Sequence, residues 1–503
     1  MQLIRFFCLL AFAAAFSSSG EVSPVTRRVI TLEDCIQMAL QRNLDIRIQR
    51  YNPEIARFSL RSVYGAYDPT LSLTVREGSY VAPPYYDPQT GILKASESSG
   101  NYQAFDAGVS GALPWGTSYR LGANLGDQND TTRVLGTNFF SSTVRGDMGA
   151  LTLRQPLMRD FWIDSARYQI ALAKNSMTMS ELGVRQQIMT TITAVESGYL
   201  ALIYAFDEVK VQEKAVELAE KLLAENKKRV EVGAMAPLDE KQAAAQLASS
   251  RADLLTAQRN LAVAQNTLKS LITDDYSGLH NTELQPATKL VALPVALDVG
   301  ESWVRALAQR PDLRQARLNL DRLGVALTFQ KNQIYPRFDA VGAISYTASS
   351  RDYKTAFEQW GTGAAPSSYV GVEFAVPLGN RAARNTYKNT KAQREQEELR
   401  IKQMEQGVMV AIDNAVTLVR TSLGRVDATR EARVYSQAAL DAEVKKLENG
   451  KSTSFEVLRL QRDLTSAMSA EIQALASYNI SLAQLAFAEG TTLDRNHIGF
   501  DVK

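Results

Sequence analysis

RVEVGAMAPLDE, Arg229 to Glu240, and KLENGKSTSFEV, Lys446 to Val457, each interrupt an otherwise helical run. Gly233 and Gly450 stand at equivalent places in the two stretches, and Pro237 follows the first. Glycine enters the left-handed conformation that ends a helix, so each stretch reads as a tight turn between two long helices. No proline occurs between Pro156 and Pro237, between Pro237 and Pro286, or after Pro377. Because proline breaks helix interiors, those intervals permit very long helices. The apolar pattern then specifies them. Ile188, Val195, Leu202, Val209, Val216, Leu223 and Val230 recur at a sevenfold step, with Ile192, Tyr199 and Phe206 on the second seam. Leu247, Leu254, Leu261 and Leu268 keep the step in the returning helix. In the second half Ile412, Val419, Val426, Leu440 and Leu447 do so, with Arg433 breaking the row. Repeats of this length predict coiled-coil packing.

Working outward from the turns, the chain repeats itself. ALQRNLDI, Ala39 to Ile46, matches ALAQRPDL, Ala306 to Leu313. At the same offset Thr31 and Asp298 are expected N-caps, each followed three residues later by an acid, Asp34 and Glu301. Pro69 and Pro336 keep that offset and end their helices, and LTLRQPL with Pro156 corresponds to VEFAVPL with Pro377. Each half therefore runs helix, strands, long helix, turn, long helix, the order of a duplicated unit.

The strand regions alternate polar and apolar residues. TLSLTVREGSY and VRGDMGALTLRQ in the first half, and RFDAVGAISYT and SYVGVEFAV in the second, have the length of tilted membrane strands. Tyr80, Tyr102, Phe105, Trp115, Phe161 and Trp162 are expected to mark the membrane interfaces. Two strands per half cannot close a barrel, because single-chain barrels begin at about eight. Several chains must then contribute jointly. FDAGVSGAL and YRLGANLG around PWGTS form an apparent extra hairpin, residues 104–127, which either extends the barrel strands outward or builds an external loop.

Composition bounds the rest. Lys+Arg 56 against Asp+Glu 54 in 503 residues gives no electrostatic case for nucleic acid. Residues 1–20 read as a secretory signal, with Arg5, the apolar core FFCLLAFAAAF and the small residues SSSG. No other apolar run is expected to span a membrane, so an exported chain of this kind crosses a bilayer only as a closed barrel. Cys8 belongs to the signal; Cys35 is expected as a packed helix residue, with no lipid anchor and no disulfide. His280 and His497 stand apart, and no metal pattern, phosphate loop or nucleophile–base pair is legible, so neither enzyme nor cofactor is expected.

Taken in this order, ITLEDCIQMALQRNLDI, ESWVRALAQRPDL, the two proline-to-strand junctions and the two helical hairpins resemble the TolC-like outer-membrane factors, the outer membrane efflux proteins. The resemblance covers essentially the whole mature chain. It implies a mixed α+β membrane protein: long α-helical hairpins form a periplasmic tunnel, and each subunit of a homotrimer gives four strands to a shared twelve-stranded β-barrel in outer-membrane lipid. It implies the exit duct of a tripartite efflux or type I secretion system, passively conducting substrate from a periplasmic adaptor and an inner-membrane transporter. The expected organisation is signal 1–20, first repeat 21–285 with strands 70–155 and tip near 229–239, linker 286–300, second repeat 301–490 with strands 337–377 and tip near 446–456, and tail 491–503. Arg229, Gly233, Lys446 and Gly450 correspond to adaptor-contacting tip turns. Asp239 and Glu456, six residues past each glycine, are candidates for the tunnel entrance. Arg459 stands where the family often carries a second acid and is placed to pair with Glu456, and Leu447 replaces a common aromatic hydrogen-bonding group. The competing reading, without the resemblance, is a soluble or surface-attached coiled-coil protein with structural or adhesive work.

Overall fold

The computed structural model describes residues 26–82, 85–86, 93–94, 98–134, 137–233, 235–362 and 365–499. The export segment, Ala234, most of PPYYDPQTG and the last four residues lie outside them. In chain order the elements are β1 (Thr26–Ile30), α1 (Leu32–Arg42), α2 (Leu44–Tyr64), β2 (Thr70–Ala82), the two-residue strands β3 (Tyr85–Tyr86) and β4 (Leu93–Lys94), β5 (Ser98–Ala112), β6 (Ser118–Val134) and β7 (Thr137–Pro156). Then come α3 (Ser165–Glu231), α4 (Pro237–Ile272), α5 (Tyr276–Leu279), β8 (Thr282–Pro286), α6 (Val299–Gln309), α7 (Pro311–Asn332), β9 (Arg337–Ser350), α8 (Tyr353–Thr362), β10 (Pro366–Ala375), α9 (Arg381–Glu448), α10 (Ser454–Glu489) and α11 (Thr492–Arg495). The long helices match across the halves: α3 has 67 residues and α9 68, while α4 and α10 have 36 each.

The caps expected at Thr31 and Asp298 are present. Thr31 and Asp34 form a reciprocal capping box, and Asp298 accepts from the backbone N–H of Gly300 and Glu301. Each early helix is in fact a pair, broken at Asn43 and at Arg310, which leave helical geometry with φ near −60° and ψ near 125°. Pro311 enforces the second break. At the first, the Asn43 side chain accepts from Ile46 N–H and donates to the Leu271 carbonyl.

Two compact units result. One comprises Met1–Gln49, Val184–Arg310 and Gln406–Lys503. Its core joins Ile30, Cys35, Ile36 and Ile46 to Ile188, Ile192, Val195, Tyr199 and Leu202 of α3, and to Leu268 and Ile272 of α4. β1 and β8 pair in parallel, and Tyr199 donates its hydroxyl to the Ile30 carbonyl, fixing that ribbon to α3. Cys35 is fully buried, and burial pushes its thiol up to about 12, well outside the reactive range. α3 does contain a stretch long and apolar enough to cross a bilayer, contrary to expectation. More than half of that stretch is buried, and the core residues Ile188 to Leu202 belong to α3, so burial against α1 and α4 accounts for the apolarity.

In α9 the expected row lies inside: Ile412, Val419, Val426, Leu440 and Leu447 are all buried. Arg433, at the gap, pairs with Glu471 of α10, and Arg430 approaches the same carboxylate at 3.7 Å. In α3 the row holds through Leu202 and then shifts phase. Ala219, Leu222 and Asn226 are buried nearer the tip, while Val216, Leu223 and Val230 are only half-buried. A strict sevenfold step drifts around a straight helix, and such a shift restores contact.

The other unit, Arg50–Gly183 and Pro311–Glu405, holds one sheet of six strands in the order β10-β9-β7-β6-β5-β2. This corrects the expectation of four. The extra hairpin is not external to the others: β5 and β6 lie between β2 and β7, antiparallel and paired on both sides. Tyr80 and Tyr102, expected at membrane interfaces, lie on the polar face of the sheet. Both fall on the face shared by Thr74, Arg76, Asp106 and Arg120, and Tyr80 donates to Asp130 at 2.6 Å.

Candidate functional site

Both tip turns are built as their glycines require. Gly233 has φ +73° and Gly450 φ +66°, the left-handed region that side chains disfavour. Gly233 N–H donates to the Val230 carbonyl at 2.9 Å. Gly450 N–H donates to Leu447 at 3.2 Å and Lys451 N–H to Lys446 at 2.8 Å, a wrapped C-terminus that satisfies the last carbonyls of α9. A side chain at either glycine would meet open space, so the constraint is the backbone angle alone.

The next helices begin differently. α4 opens with Ala236 as N-cap and Pro237 at its first turn. α10 opens with Thr453, whose hydroxyl accepts from Glu456 N–H. Glu456 and Arg459 pair through two contacts, 3.0 Å to Nε and 2.8 Å to Nη2, both side chains remaining well exposed. The Glu456 carboxylate raises the affinity of the Arg459 guanidinium for its proton. Asp239 is half-buried at the start of α4, where its backbone carbonyl accepts from Asn226.

Arg229 and the second turn are brought together. Arg229 donates through Nη1 to the Leu447 carbonyl at 3.3 Å, so the first tip caps the end of the second long helix. Lys446 instead pairs within its own helix with Glu443, 2.8 Å away. Glu443 also accepts from the Ser452 hydroxyl, 2.5 Å, across the turn. The Lys446 and Ser452 bonds hold the Glu443 carboxyl below the usual carboxylate range. Leu447 is buried with Leu222, Leu440, Val457 and Leu458 in an apolar cluster.

The sequence reading missed two features here. Asn226, which matches Glu443 in the second half, is almost fully buried and donates to Ser454 Oγ at 2.5 Å, joining the two hairpins. Asn226 lies off both sevenfold rows read from the sequence, and its matched acid, Glu443, is the one available signal. Val232, Leu238 and Phe455 stand exposed at the tips, and Leu238 and Phe455 occupy matched positions one residue before the two acids. Among the described residues no group of acids, histidines and cysteines is arranged to hold a metal ion.

A six-stranded sheet with two open edges and paired long helices ending in left-handed glycine turns define a protein of helical hairpins carried with a two-faced sheet. The chain belongs to the outer membrane efflux protein family, which it matches over residues 35–273 and 303–491. It is 22% identical over 342 residues to the outer membrane efflux protein BepC of Brucella suis, covering 68% of this chain and 71% of that one. It is 24% identical over 350 residues to the outer membrane protein TolC of Vibrio cholerae, covering 67% and 75%. Among solved structures its fold is similar to the CmeC outer membrane channel of Campylobacter jejuni, with TM-score 0.65, 15% identity, and 92% and 86% of the two chains covered. It is also similar to the open state of the MtrE outer membrane channel of Neisseria gonorrhoeae, with TM-score 0.64, 17% identity, and 92% and 89% covered. The protein is a TolC-like efflux protein of the outer membrane with a large periplasmic part.

Proposed function

We propose that this chain is the outer-membrane exit duct of a tripartite efflux or type I secretion system and works as a homotrimer. It conducts passively, taking substrate from a periplasmic adaptor and an inner-membrane transporter that supplies the energy. The observation that carries this reading is the pairing of family membership with two matched glycine turns whose neighbours are exposed and apolar. We assign adaptor contact to the turns at Gly233 and Gly450, with Arg229 and Lys446 positioning them and Val232, Leu238 and Phe455 as the contacting apolar groups. Glu456 and Asp239 are proposed to line the tunnel entrance. The Glu456–Arg459 pair replaces a second acid there, and buried Leu447 replaces a polar latch. The recurrence of one element order supports descent from a duplicated unit, with repeats over 21–285 and 301–490.

Fractionation followed by planar-bilayer recording tests the proposal. The expected result is a detergent-requiring protein in the outer membrane that forms cation-preferring channels. Recovery in the soluble periplasm, with no conductance, would instead select the coiled-coil structural protein.

A further inference from the structure

Among the described residues the extra hairpin of the first half has no counterpart in the second, where α8 lies between β9 and β10. We infer that β5 and β6 are membrane-embedded wall strands, so that the assembled barrel has eighteen strands, six from each of three copies. The partner at each open edge is a second copy of this chain, β2 of one pairing with β10 of the next. This rests on the trimeric duct proposed above.

Four observations carry it. First, β5 and β6 interpose fully between β2 and β7: β2 pairs with β5 from Thr70↔Ser110 to Ala82↔Ser98, and β6 pairs with β7 from Ser118↔Arg154 to Val134↔Thr137. Lifting the hairpin out would leave β2 severed from the sheet. Second, the turn at Leu113–Thr117 lies at the helix-bearing end, level with Thr70 and Arg154, and Gly116 sits against Arg167 near the start of α3. The hairpin therefore spans the full height of the wall, which a loop beyond the strand ends would not do.

Third, the pairing register puts one apolar face across all six strands. Leu71, Leu73 and Val75 of β2 continue into Phe105, Ala107 and Val109 of β5, then into Leu121, Ala123 and Leu125 of β6. Leu151 and Leu153 of β7, Ile344 of β9 and Val370, Val372 and Phe374 of β10 complete the band. A bulge at Gly149, φ +61°, keeps the alternation in phase along β7. Leu71 is 76% exposed, Leu121 50% and Val370 91%, an apolar belt that water would penalise and acyl chains would not. The hairpin's apolar stretches, Phe105 to Leu113 and Thr117 to Leu125, have about the 9–11 residues that a tilted strand needs to cross.

Fourth, the opposite face is polar and bounds a trough of about 1010 Å³ lined by Thr74, Arg76, Asp106, Arg120, Asn124 and Asp147. Three of those six groups, Asp106, Arg120 and Asn124, belong to β5 and β6, so the hairpin supplies half of that polar lining. Arg120 pairs with Asp106 at 2.6 Å within it. At the edges, β2 leaves the helix-bearing end and β10 returns to it, so β2 and β10 of adjacent copies meet antiparallel and no edge stays open to lipid. Diameter grows roughly linearly with strand number, so eighteen strands make a wall about 1.5 times as wide as twelve. Barrels of 16–18 strands enclose an aqueous channel, and this outer opening is correspondingly suited to bulky polar cargo.

Single cysteines test the placement in a Cys35→Ala background. Val109→Cys and Leu121→Cys, on the apolar face of the hairpin, are labelled with bimane, as are the flanking-strand controls Leu73→Cys and Val372→Cys and the lumenal Asp106→Cys and Arg120→Cys. Each trimer is reconstituted in vesicles of dibrominated phosphatidylcholine. The inference expects the two hairpin sites to be quenched by bromine as strongly as the controls, several-fold more than the lumenal pair. Quenched controls with unquenched hairpin sites would remove β5 and β6 from the wall and overturn the eighteen-strand barrel while leaving the duct reading intact. Unquenched controls would overturn both. Oxidising pairs of Leu73→Cys with Val370→Cys, Val372→Cys or Phe374→Cys supplies the second readout. A covalent ladder ending at three copies supports the edge pairing, and absence of any inter-copy bond across the series overturns it.

Discussion

At the scale of single residues, the tip is governed by two backbone angles and a few charged contacts. Gly450 holds φ +66° with no neighbour to crowd a side chain, so Gly450→Val costs only the backbone term, about 1–2 kcal/mol. Gly450→Asn, which tolerates that region, costs much less. Export should fall in the valine variant and recover in the asparagine one, with membrane insertion unchanged in both; loss of insertion in the valine variant would contradict the assignment of turn and sheet to different compact units. Glu456→Gln removes the partner of Arg459 and, in the proposed trimer, three negative charges at one level of the entrance. Cation selectivity in planar bilayers should drop; unchanged selectivity and resting conductance would reduce Glu456 to an ordinary helix-start acid. Glu443 adds a pH dependence. Its folded carboxyl is held below its unfolded value, so the tie to Lys446 and Ser452 is complete above the ordinary carboxylate range and is lost as pH falls through the lowered value. A spin label at Asn449 should mobilise there, and Glu443→Gln should abolish the step.

At the scale of elements, the long helices show how a polar residue survives in an apolar row. Arg433 occupies a seam position and is matched by Glu471, which is only 15% exposed. Arg433→Leu alone leaves that carboxylate only the more distant Arg430, 3.7 Å away, and should destabilise the helical pair by an amount on the order of 1 kcal/mol given its partial exposure, read as a lower thermal midpoint of the helical signal. Arg433→Leu with Glu471→Met should restore or exceed the original stability, because an apolar pair of similar volume replaces two charges. A double variant less stable than Arg433→Leu would contradict this account. The same seams explain what could be read beforehand. Sevenfold rows, proline-free intervals and glycines acting through their own φ are local, so the helices and both turns were legible from residues alone. The breaks at Asn43 and Arg310 fall inside the matched stretches ALQRNLDI and ALAQRPDL but were not read as breaks, and the first depends on the distant Asn43–Leu271 bond. The β1–β8 ribbon joins segments far apart in sequence, and five-residue strands carry too little pattern. The hairpin β5–β6 was visible as alternation, yet its place between β2 and β7 depends on register, which no single strand encodes. At the tip the glycines and the Glu456–Arg459 spacing were legible, whereas Asn226 and the Arg229 cap depend on which hairpins meet.

At the scale of the whole molecule, the sheet sets the terms of folding. The edges of β2 and β10 carry unpaired N–H and C=O groups beside exposed leucine and valine side chains, and in lipid each unsatisfied backbone group costs several kcal/mol. A lone copy cannot satisfy them, because a barrel wall has no edges only when closed. In the proposed trimer, closure by neighbouring copies couples β-structure to assembly, so the folded sheet and the oligomer should be lost together. Heated in SDS, the protein should lose its β-sheet circular dichroism at the same temperature at which the slow oligomer band disappears, and mass measurement in mild detergent should find three copies of the processed chain. The helical signal need not follow, since the core around Ile188, Tyr199 and Leu268 closes within one copy. A detergent-solubilised monomer that keeps its β signal, or an oligomer that outlasts it, would show that the wall closes by some route other than edge pairing between copies.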